Sequence, residues 1–587
     1  MIRDIGFVKW KDPLAWMESM KGPAWLRTVQ AENLHFDTAV QALTRKVVVG
    51  KVEEEYESFQ CGPILIQPNG TLSYTWIWLG DNRPNEAANI LCVEDTVYAI
   101  EGDEEGNEVY TLACYAKKKE LWRYKTSIAP YIFVKDGLCY LIETVGTLQY
   151  RLLVCIDAAT GKGRRILFEE KSKRNNLSLV DGFLVSNNSG TCALYTLSPL
   201  KRVCKEGVAF FPVSGDCYFA RIGSFDAPWK LFGADYKLPP LKDGIEFFSL
   251  KTSLLMTSSG GVRCLYKCSA EKEPVKLREF IGNCIFDRFC TESMYITMIP
   301  GSTEGLYDGK KVIRKEEVYA KHSLHTCTSA DGTHVPYVLV AKGGSIKGLM
   351  VAVYGGYGIP TKMETGRWRP YLEAGWGIVF GLIRGGGDFG DSWAEAARTY
   401  KKGKSVEDAE AVIKAAQKLT KVGWQQTCIY GRSAGGYVVG SVVARNGHGG
   451  LLGAVYAEVP YVDILRTTTN PALPLTVLEY DEFGHPAEKL EDLEAILRLS
   501  PIDSLPEEGA PAVFVVARTS LNDKEVFAYE AVKWITKLRG SSLQGGQEKY
   551  LSITGGEGHF VRGPTGARQK TEDFLLLDGW LRSSVPL

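Results

Sequence analysis

The sequence has no surplus of charge and no long apolar run. Its 69 lysines and arginines equal its 69 aspartates and glutamates, so the formal net charge is zero. Such a balance gives no indication of a nucleic-acid or membrane surface as partner. No stretch is apolar for the roughly 20 residues that a membrane helix requires, and charged residues interrupt the first twelve positions before a signal-peptide core can form. We therefore expect a cytoplasmic protein with no nucleic-acid or membrane partner.

Cysteine pairs at metal-binding spacing are also missing. Fourteen cysteines are scattered along the chain, twelve of them before residue 320, and none forms a C-x-x-C pair. Cys264 and Cys268 are four residues apart, but no second cysteine or histidine pair completes a zinc pattern. Reduced thiols are the expected state in a cytosolic protein. We therefore predict neither a structural metal nor a cofactor.

The length of 587 residues exceeds what one hydrophobic core supports, and the pattern of residue types along the sequence changes twice. Residues 1–55 contain an amphipathic helical pattern after the Gly22-Pro23 break. Residues 56–317 are rich in short β-prone runs separated by glycine, asparagine and aspartate turns. Residues 318–587 alternate apolar strand-like runs with helical patterns. We predict three units with these boundaries.

The β-rich unit repeats a strand–turn–strand pattern, of which residues 131–142 are a clear example. The pattern recurs at roughly forty residues, a period typical of propeller blades rather than of a sandwich. The region has room for about six or seven such blades. In the last unit, apolar runs at 348–354, 377–383 and 512–517 alternate with helices, which predicts a mostly parallel, doubly wound sheet covered on both faces.

Residues 431–436 (Gly-Arg-Ser-Ala-Gly-Gly) contain the pattern G-x-S-x-G. A β-prone run precedes them and an apolar run with helical spacing follows, which is the context of a nucleophile elbow. Glycines on both sides of Ser433 allow the tight turn that exposes its hydroxyl at the top of a sheet. The sequence therefore predicts Ser433 as a catalytic nucleophile in an α/β-hydrolase domain.

An α/β-hydrolase places its triad in the order serine, acid, histidine, and three histidines follow Ser433. His448 ends the elbow helix and His485 lies in a polar segment without a preceding strand. His559 follows a late strand and a glycine loop, so we predict it as the general base.

The acid of the triad is expected after the strand at 512–517. Asp523 is the first carboxylate there, and its role would be to orient His559 and to stabilise the imidazolium. Two rivals remain: Glu525, two residues further on, and Asp463, which follows an earlier strand.

An oxyanion hole requires two hydrogen-bond donors aimed at the tetrahedral oxygen. The backbone N–H of Ala434, directly after the nucleophile, is the first expected donor. Tyr354 ends an earlier strand and could bring the second, although a tyrosine at a strand end often serves packing alone.

Together these motifs resemble the prolyl oligopeptidase family of serine peptidases, and most closely its oligopeptidase B branch. Two short segments near the start, 12–16 and 31–33, look like the N-terminal helical arm of that family. The ordered motifs of the last unit are residues 354–358 (Tyr-Gly-Gly-Tyr-Gly), 384–390 (Arg-Gly-Gly-Gly-Asp-Phe-Gly) with Trp393, 431–436, 458–463 (Glu-Val-Pro-Tyr-Val-Asp), 475–484 (Leu-Thr-Val-Leu-Glu-Tyr-Asp-Glu-Phe-Gly), 522–523 and 558–559.

The resemblance implies a seven-bladed propeller over the hydrolase domain, with the N-terminal arm packed against the latter. It casts Ser433, Asp523 and His559 as the triad, with Tyr354 and the Ala434 N–H forming the oxyanion hole. The propeller would admit short peptides as substrates and exclude folded proteins. The predicted β-rich region is shorter than is usual in this family.

Glu479 and Asp481 resemble the acidic side chains that receive arginine or lysine at the P1 position in the oligopeptidase B branch. A desolvated guanidinium requires carboxylate partners, which these two side chains could provide. The alternative interpretation is a solvated acidic turn with no role in binding. No tryptophan occurs between residues 461 and 500, where the proline-specific branch carries one. We therefore predict cleavage after basic residues.

Two other functions remain open. Related folds with the same triad act as esterases, or transfer the acyl group to an amine and close a ring. A propeller protein that only binds a partner is the alternative from a different class, and the intact triad argues against it. The sequence carries no signal for the oligomeric state.

Overall fold

The computed structural model describes most of the chain between residues 2 and 584. The residues that it leaves undescribed within that span are 5, 8, 45–63, 67–71, 75–86, 94–95, 103–108, 117–118, 147, 181, 188–191, 198, 204–206, 215–216, 242–243, 287–293, 304, 309–310, 447–448, 506–512, 541–547 and 562. Within the described part, no helix combines the length and the apolar character needed to cross a membrane.

An eight-stranded sheet forms the centre of the C-terminal unit. Its first two strands make an antiparallel hairpin, and the second of them pairs antiparallel with the third; all further neighbours run parallel. In spatial order the strands are Lys321–Thr328, His334–Ala341, Trp376–Gly381, Gly348–Ala352, Thr427–Arg432, Ala454–Glu458, Phe514–Ser520 and Lys549–Thr554.

Helices cover both faces of this sheet, which is why its central strands are buried and mostly apolar. Strands such as Gly348–Ala352 and Ala454–Glu458 are buried at every position, as expected for parallel strands packed on both faces. The described helices of this unit are Arg369–Ala374, Asp391–Glu395, Gly403–Thr420, Gly435–Arg445, Ile464–Thr468, Thr476–Phe483, Leu490–Leu499, Ala528–Gly540 and Gly563–Ser584. The α/β-hydrolase prediction is confirmed.

The N-terminal helix Gly22–Thr44 packs on the last strand of that sheet. The amide of Asn33 exchanges two hydrogen bonds of 2.8 Å with the backbone of Ile553, so it pairs with the sheet as a neighbouring strand would. Upstream of the helix, buried Asp12 accepts a 2.8 Å hydrogen bond from Nε of Arg466. The arm is therefore fixed by specific polar contacts to the hydrolase unit.

The β-rich unit is built of antiparallel sheets, as a propeller requires. The described residues form one seven-stranded, one three-stranded and three four-stranded sheets, together with a two-stranded ribbon. The strands of this region are Ile64–Ile66, Leu72–Tyr74, Ala87–Val93, Thr96–Gly102, Tyr110–Ala116, Lys119–Lys135, Leu138–Thr144, Tyr150–Asp157, Arg165–Glu169, Asn176–Val180, Phe183–Asn187, Cys192–Leu197, Leu200–Arg202, Gly207–Ser214, Cys217–Ile222, Lys230–Phe232, Gly244–Ser249, Leu254–Ser259, Val262–Lys267, Val275–Ile281, Asn283–Phe286, Met294–Met298, Gly305–Asp308 and Lys311–Arg314.

The prediction of seven blades is wrong for the described residues, where five sheets have three or more strands. The strand Lys119–Lys135 explains part of the difference. It is 17 residues long, pairs with Tyr110–Ala116 mainly through its first half, and pairs with Leu138–Thr144 mainly through its second half. Because this strand does not break, strands that a regular repeat would divide between two blades belong to one continuous sheet.

Polar contacts join the propeller to the loop that follows the strand Trp376–Gly381. The buried guanidinium of Arg221 lies 3.0 Å from the carboxylate of Asp391, and the N–H of Gly260 donates to the carbonyl of Asp388 at 2.6 Å. In parallel α/β sheets, ligands bind outside the carboxyl ends of the strands. The propeller is therefore attached on the side of the sheet where a substrate would enter.

Candidate active site

Ser433 lies at a sharp turn between the strand Thr427–Arg432 and the helix Gly435–Arg445. Its φ angle is +52°, a left-handed conformation that is uncommon for residues other than glycine. The turn is held by the N–H of Ser433, which donates to the carbonyl of Glu458 at 2.9 Å, and by the N–H of Tyr461, which donates to the Ser433 carbonyl at 3.0 Å. This strained strand–turn–helix geometry is that of a nucleophile elbow.

Close backbone approaches explain the glycines around Ser433. A Cβ atom on Gly431 would lie 2.5 Å from the carbonyl oxygen of Gly435, and one on Gly436 would lie 2.5 Å from Cα of Pro460. A Cβ on Gly435 would lie 2.9 Å from the carbonyl oxygen of Val353. Each position therefore has no room for a side chain, and the motif is needed for packing as well as for the turn.

The structure brings Asp523 and His559 together. Nδ1 of His559 lies 2.8 Å from Oδ2 of Asp523, and both side chains are buried, with 2% and 0% of their surface exposed. The second carboxylate oxygen of Asp523 accepts the N–H groups of Glu525 and Val526 at 2.9 and 2.8 Å. Asp523 is therefore rigidly held while it orients the imidazole, which leaves Nε2 for proton transfer.

The other candidates for acid and base are placed elsewhere. Asp463 is buried in ion pairs with Arg466 and Lys533. Glu525 does approach His559, but at Nε2 and at 3.5 Å, which is beyond ordinary hydrogen-bond length. The ring of His485 packs against Tyr480 beside the end of its helix, and His448 lies outside the described residues.

Opposing effects set the pKa of His559. Burial lowers it by disfavouring the charged imidazolium, but the carboxylates of Asp523 and Glu525 outweigh burial and raise the pKa above its ordinary value. A general base must be neutral to accept the serine proton. Activity that depends on His559 should therefore decline as the pH falls through a value above that of a free imidazole, near 6.5.

Arg432, directly before the nucleophile, is a functional candidate that the sequence interpretation missed. Its guanidinium donates to the backbone carbonyl of His559, stacks 4.6 Å from the ring centre of Phe560 and lies 3.7 Å from the carboxylate of Glu458. It thus joins the elbow to the histidine loop. The place of Arg432 inside the elbow motif was the one signal of a functional role. No pattern in the sequence predicts which residues Arg432 contacts.

Glu458 belongs to a buried network beneath the elbow. It accepts hydrogen bonds from Arg367, at 3.1 Å, and from the hydroxyls of Tyr430 and Tyr456, at 2.6 and 2.9 Å. Burial by itself would raise the pKa of Glu458, but Arg367 and Arg432 hold it well below the usual range. The carboxylate therefore stays ionised and fixes the strand end that carries the elbow.

Tyr354 and Ala434 both lie beside Ser433. Ala434 has helical backbone angles and directly precedes the elbow helix, so its N–H belongs to the positive end of that helix. A Cβ on Gly435 would lie 3.4 Å from Cα of Tyr354, which shows how closely the earlier strand end approaches the elbow. Burial and the nearby Glu479 raise the pKa of Tyr354, so its hydroxyl remains protonated and able to donate.

Glu479 and Asp481 lie on the helix Thr476–Phe483 rather than on a solvated turn. Residues two apart on a helix point about 160° away from each other, so the element does not direct both carboxylates to one place. Glu479 is buried and accepts a 2.8 Å hydrogen bond from the hydroxyl of Tyr357. Asp481 is partly exposed, and its Oδ2 has no hydrogen-bond partner among the described residues.

The buried carboxylate that does share a face with Glu479 is Glu482, three residues later. It is fully buried and ion-paired with Arg398, at 3.1 Å, and with Lys402. Burial raises the pKa of Glu479 to about 8, and the neighbouring Glu482 acts in the same direction, whereas the Tyr357 hydrogen bond lowers it. Among the described residues no cation forms an ion pair with Glu479, and Glu479 lies near enough to Tyr354 to raise the pKa of that tyrosine.

A serine on a strained elbow, a buried aspartate–histidine pair in the expected chain order and two candidate oxyanion donors define a serine hydrolase site on an α/β-hydrolase fold with an attached propeller. Residues 365–583 match the family model described as prolyl oligopeptidase family. The hydrolase domain of this chain therefore belongs to the prolyl oligopeptidase family.

Two similar proteins illustrate the match. "Protease 2" of Moraxella lacunata is 30% identical over 261 residues, which cover 44% of this chain and 36% of that protein. "Prolyl endopeptidase-like" of Gallus gallus is 30% identical over 476 residues, or 80% of this chain and 53% of that protein. The chain thus matches only about a third to a half of the length of these two relatives.

The solved structure of oligopeptidase B from Leishmania major superposes with a TM-score of 0.82. The superposition covers 99% of this chain and 95% of that chain, at 17% sequence identity. At this identity the likeness concerns the fold. It supports the arrangement of a propeller joined to a hydrolase domain.

Proposed function

We propose that this protein is a serine peptidase that hydrolyses short peptides through an acyl-enzyme on Ser433. The observation that carries the proposal is the buried 2.8 Å contact between Asp523 and His559, in a domain whose elbow presents Ser433. The family of the hydrolase domain supports peptides as substrates, and the attached propeller supports short ones.

In this mechanism His559 accepts the proton of Ser433 through Nε2 as the serine oxygen attacks the substrate carbonyl. Asp523 stabilises the imidazolium, and the Ala434 N–H and the Tyr354 hydroxyl donate to the developing oxyanion. His559 then donates the proton to the leaving amine as the C–N bond breaks. Water, activated by His559, hydrolyses the ester and returns Ser433 to its initial state.

We further propose a preference for arginine or lysine at P1, with Glu479 as its main determinant. Support comes from the burial of Glu479 near Tyr354 and from the absence of an ion pair to Glu479 among the described residues, since Glu482 binds Arg398 and Lys402. A buried carboxylate gains an ionic partner when a guanidinium enters. Asp481 stays a candidate for the same pocket.

A library of short chromogenic peptides that differ only at P1 tests the proposal directly. Turnover of arginine and lysine peptides well above neutral ones is expected. Absence of turnover for every basic peptide would reject the P1 preference. Cleavage of simple esters alone, or transfer of the acyl group to an added amine, would instead favour the esterase or acyl-transfer alternatives.

The pH dependence of P1 selectivity should follow the ionisation of Glu479. Because its pKa is raised to about 8, the carboxylate is largely neutral below that pH and charged above it. The ratio of kcat/KM for an arginine substrate to that for its neutral citrulline isostere should therefore rise as the pH increases through about 8. The ratio removes the contribution of His559, which affects both substrates equally.

Glu479→Gln should lower this ratio roughly tenfold or more, because the guanidinium loses its buried charge partner, and should make it independent of pH. Asp481→Asn is the matched control from the same helix. A larger loss of selectivity in Asp481→Asn than in Glu479→Gln would transfer the role to Asp481.

Tyr354→Phe should reduce kcat by roughly a hundredfold if its hydroxyl donates to the oxyanion. The substitution keeps the ring and removes one oxygen, so packing against the elbow is preserved. Steady-state kinetics should show the loss in kcat with little change in KM. An unchanged kcat would show that Tyr354 serves packing only. Tyr357→Phe, which removes the partner of Glu479 instead, is the control.

A further inference from the structure

Glu525 brings a second carboxylate to the imidazole of His559, at the opposite nitrogen from Asp523. Its Oε2 lies 3.5 Å from Nε2, whereas Asp523 contacts Nδ1. The side chain of Glu525 is 33% exposed, while those of His559 and Asp523 are buried. Because Nδ1 is engaged by the acid, Nε2 is the atom that exchanges protons with the reacting groups. Glu525 therefore stands at the solvent side of the reacting centre.

The position of Glu525 is fixed by the triad itself. Asp523 accepts the backbone N–H of Glu525 at 2.9 Å and that of Val526 at 2.8 Å through Oδ1. The same carboxylate thus orients the imidazole and holds the backbone from which the Glu525 side chain extends. The side chain of Glu525 therefore reaches Nε2 from a backbone that the catalytic acid holds in place.

We propose that Glu525 is a specificity-determining residue that favours a positive charge, and disfavours a negative one, on the leaving-group side of the scissile bond (P1′). This inference rests on the proposed function. During catalysis Nε2 must come within roughly 2.6–3.2 Å of the leaving nitrogen. A carboxylate beside Nε2 is then within roughly 7 Å of that nitrogen, which is less than the Debye length of about 8 Å at physiological ionic strength.

Arg432 lies beside the histidine loop, and its charge lowers the pKa of His559 without outweighing the two carboxylates. Arg432 directs its guanidinium to the His559 carbonyl, the Phe560 ring and the carboxylate of Glu458. Glu479 is a separate acidic group, buried on its own helix and hydrogen-bonded by Tyr357. The site therefore holds two acidic determinants, one for each side of the bond that is cleaved.

The first test uses internally quenched peptides that share the best P1 residue and carry lysine, norleucine or glutamate at P1′. The native protein should prefer lysine to glutamate by roughly 5- to 20-fold in kcat/KM, the size expected for a partly exposed charge contact. Glu525→Gln should bring this ratio close to one. Glu488→Gln, an exposed glutamate outside the site, is the matched control and should leave the ratio unchanged.

Two results would overturn the proposal. One is a lysine-to-glutamate ratio at P1′ that is the same in the native protein and in Glu525→Gln. The other is a Glu525-dependent preference that appears when lysine is moved to P2 and is absent at P1′, because it would place the carboxylate on the acyl side.

A second test separates this inference from peptidase activity. Ser433 is labelled by two phosphonothioates, one with thiocholine as leaving group and one with its uncharged carbon isostere. Faster labelling by the cationic reagent, lost in Glu525→Gln, supports the proposal. Equal rates in both proteins overturn it and leave the reactive serine of the proposed function intact. Failure of both reagents to label Ser433 rejects the proposed function and, with it, this inference.

Discussion

Replacing Ser433 with alanine is expected to lower kcat by roughly 10⁴- to 10⁶-fold, with KM changed little. In the proposed mechanism the hydroxyl forms the covalent intermediate, and no neighbouring group on the elbow can take its place. His559→Ala should cause a loss of similar size, because the proton of the serine then has no acceptor. Single-turnover kinetics with a chromogenic peptide measure both effects.

The double variant provides a sharper check than either single one. The proposed mechanism makes Ser433 and His559 act as one unit, so the combined variant should be hardly slower than each single variant. A fluorophosphonate probe should label the native protein and fail with Ser433→Ala. Labelling that persists in Ser433→Ala would place the nucleophile elsewhere, and absence of labelling in the native protein would favour a non-catalytic role.

Asp523→Asn is expected to reduce kcat by roughly 10⁴-fold, the second large effect. An asparagine keeps the size of the side chain and can still accept from the N–H groups of Glu525 and Val526. Its amide cannot stabilise the imidazolium, and it permits the wrong tautomer of His559. The loss should therefore appear in kcat while the folded structure is kept, which circular dichroism and thermal unfolding would show.

Glu525→Gln is the matched comparison, because the two carboxylates contact the same imidazole at different nitrogens. On a peptide with a neutral P1′ residue its effect should be mild, within about tenfold, as expected for a partly exposed charge. The acid limb of the pH profile should move to lower pH, since one of the charges that raise the pKa of His559 is removed. If Glu525→Gln were more damaging than Asp523→Asn, Glu525 would be the acid of the triad.

Local patterns in the sequence were sufficient for the hydrolase fold and for the position of Ser433. Strand, turn and helix are encoded over about a dozen neighbouring residues, and glycines are the residues that such close backbone approaches require. The order serine, acid, histidine then reduced the number of candidates for the acid and the base of the triad. Both are expected after later strands, because parallel strands bring their carboxyl ends to one edge of the sheet.

The tertiary structure distinguished residues that are close in sequence and chemically alike. Asp523 and Glu525 are two residues apart and chemically alike, and only the fold assigns them to opposite nitrogens of His559. Glu479 and Asp481 appeared as one acidic cluster, but the helix points them about 160° away from each other and buries only the first.

Contacts between segments that are far apart in the chain could not be predicted from the sequence either. The long strand Lys119–Lys135 belongs to one continuous sheet where a forty-residue period suggested a blade boundary, because pairing depends on partners on both sides of the strand. Arg432 reaches His559, which is 127 positions away along the chain. The sequence by itself determined which chemical groups are present and which local turns carry them. Their distances, burial and charges, and hence their roles, follow from long-range packing, which no local pattern records.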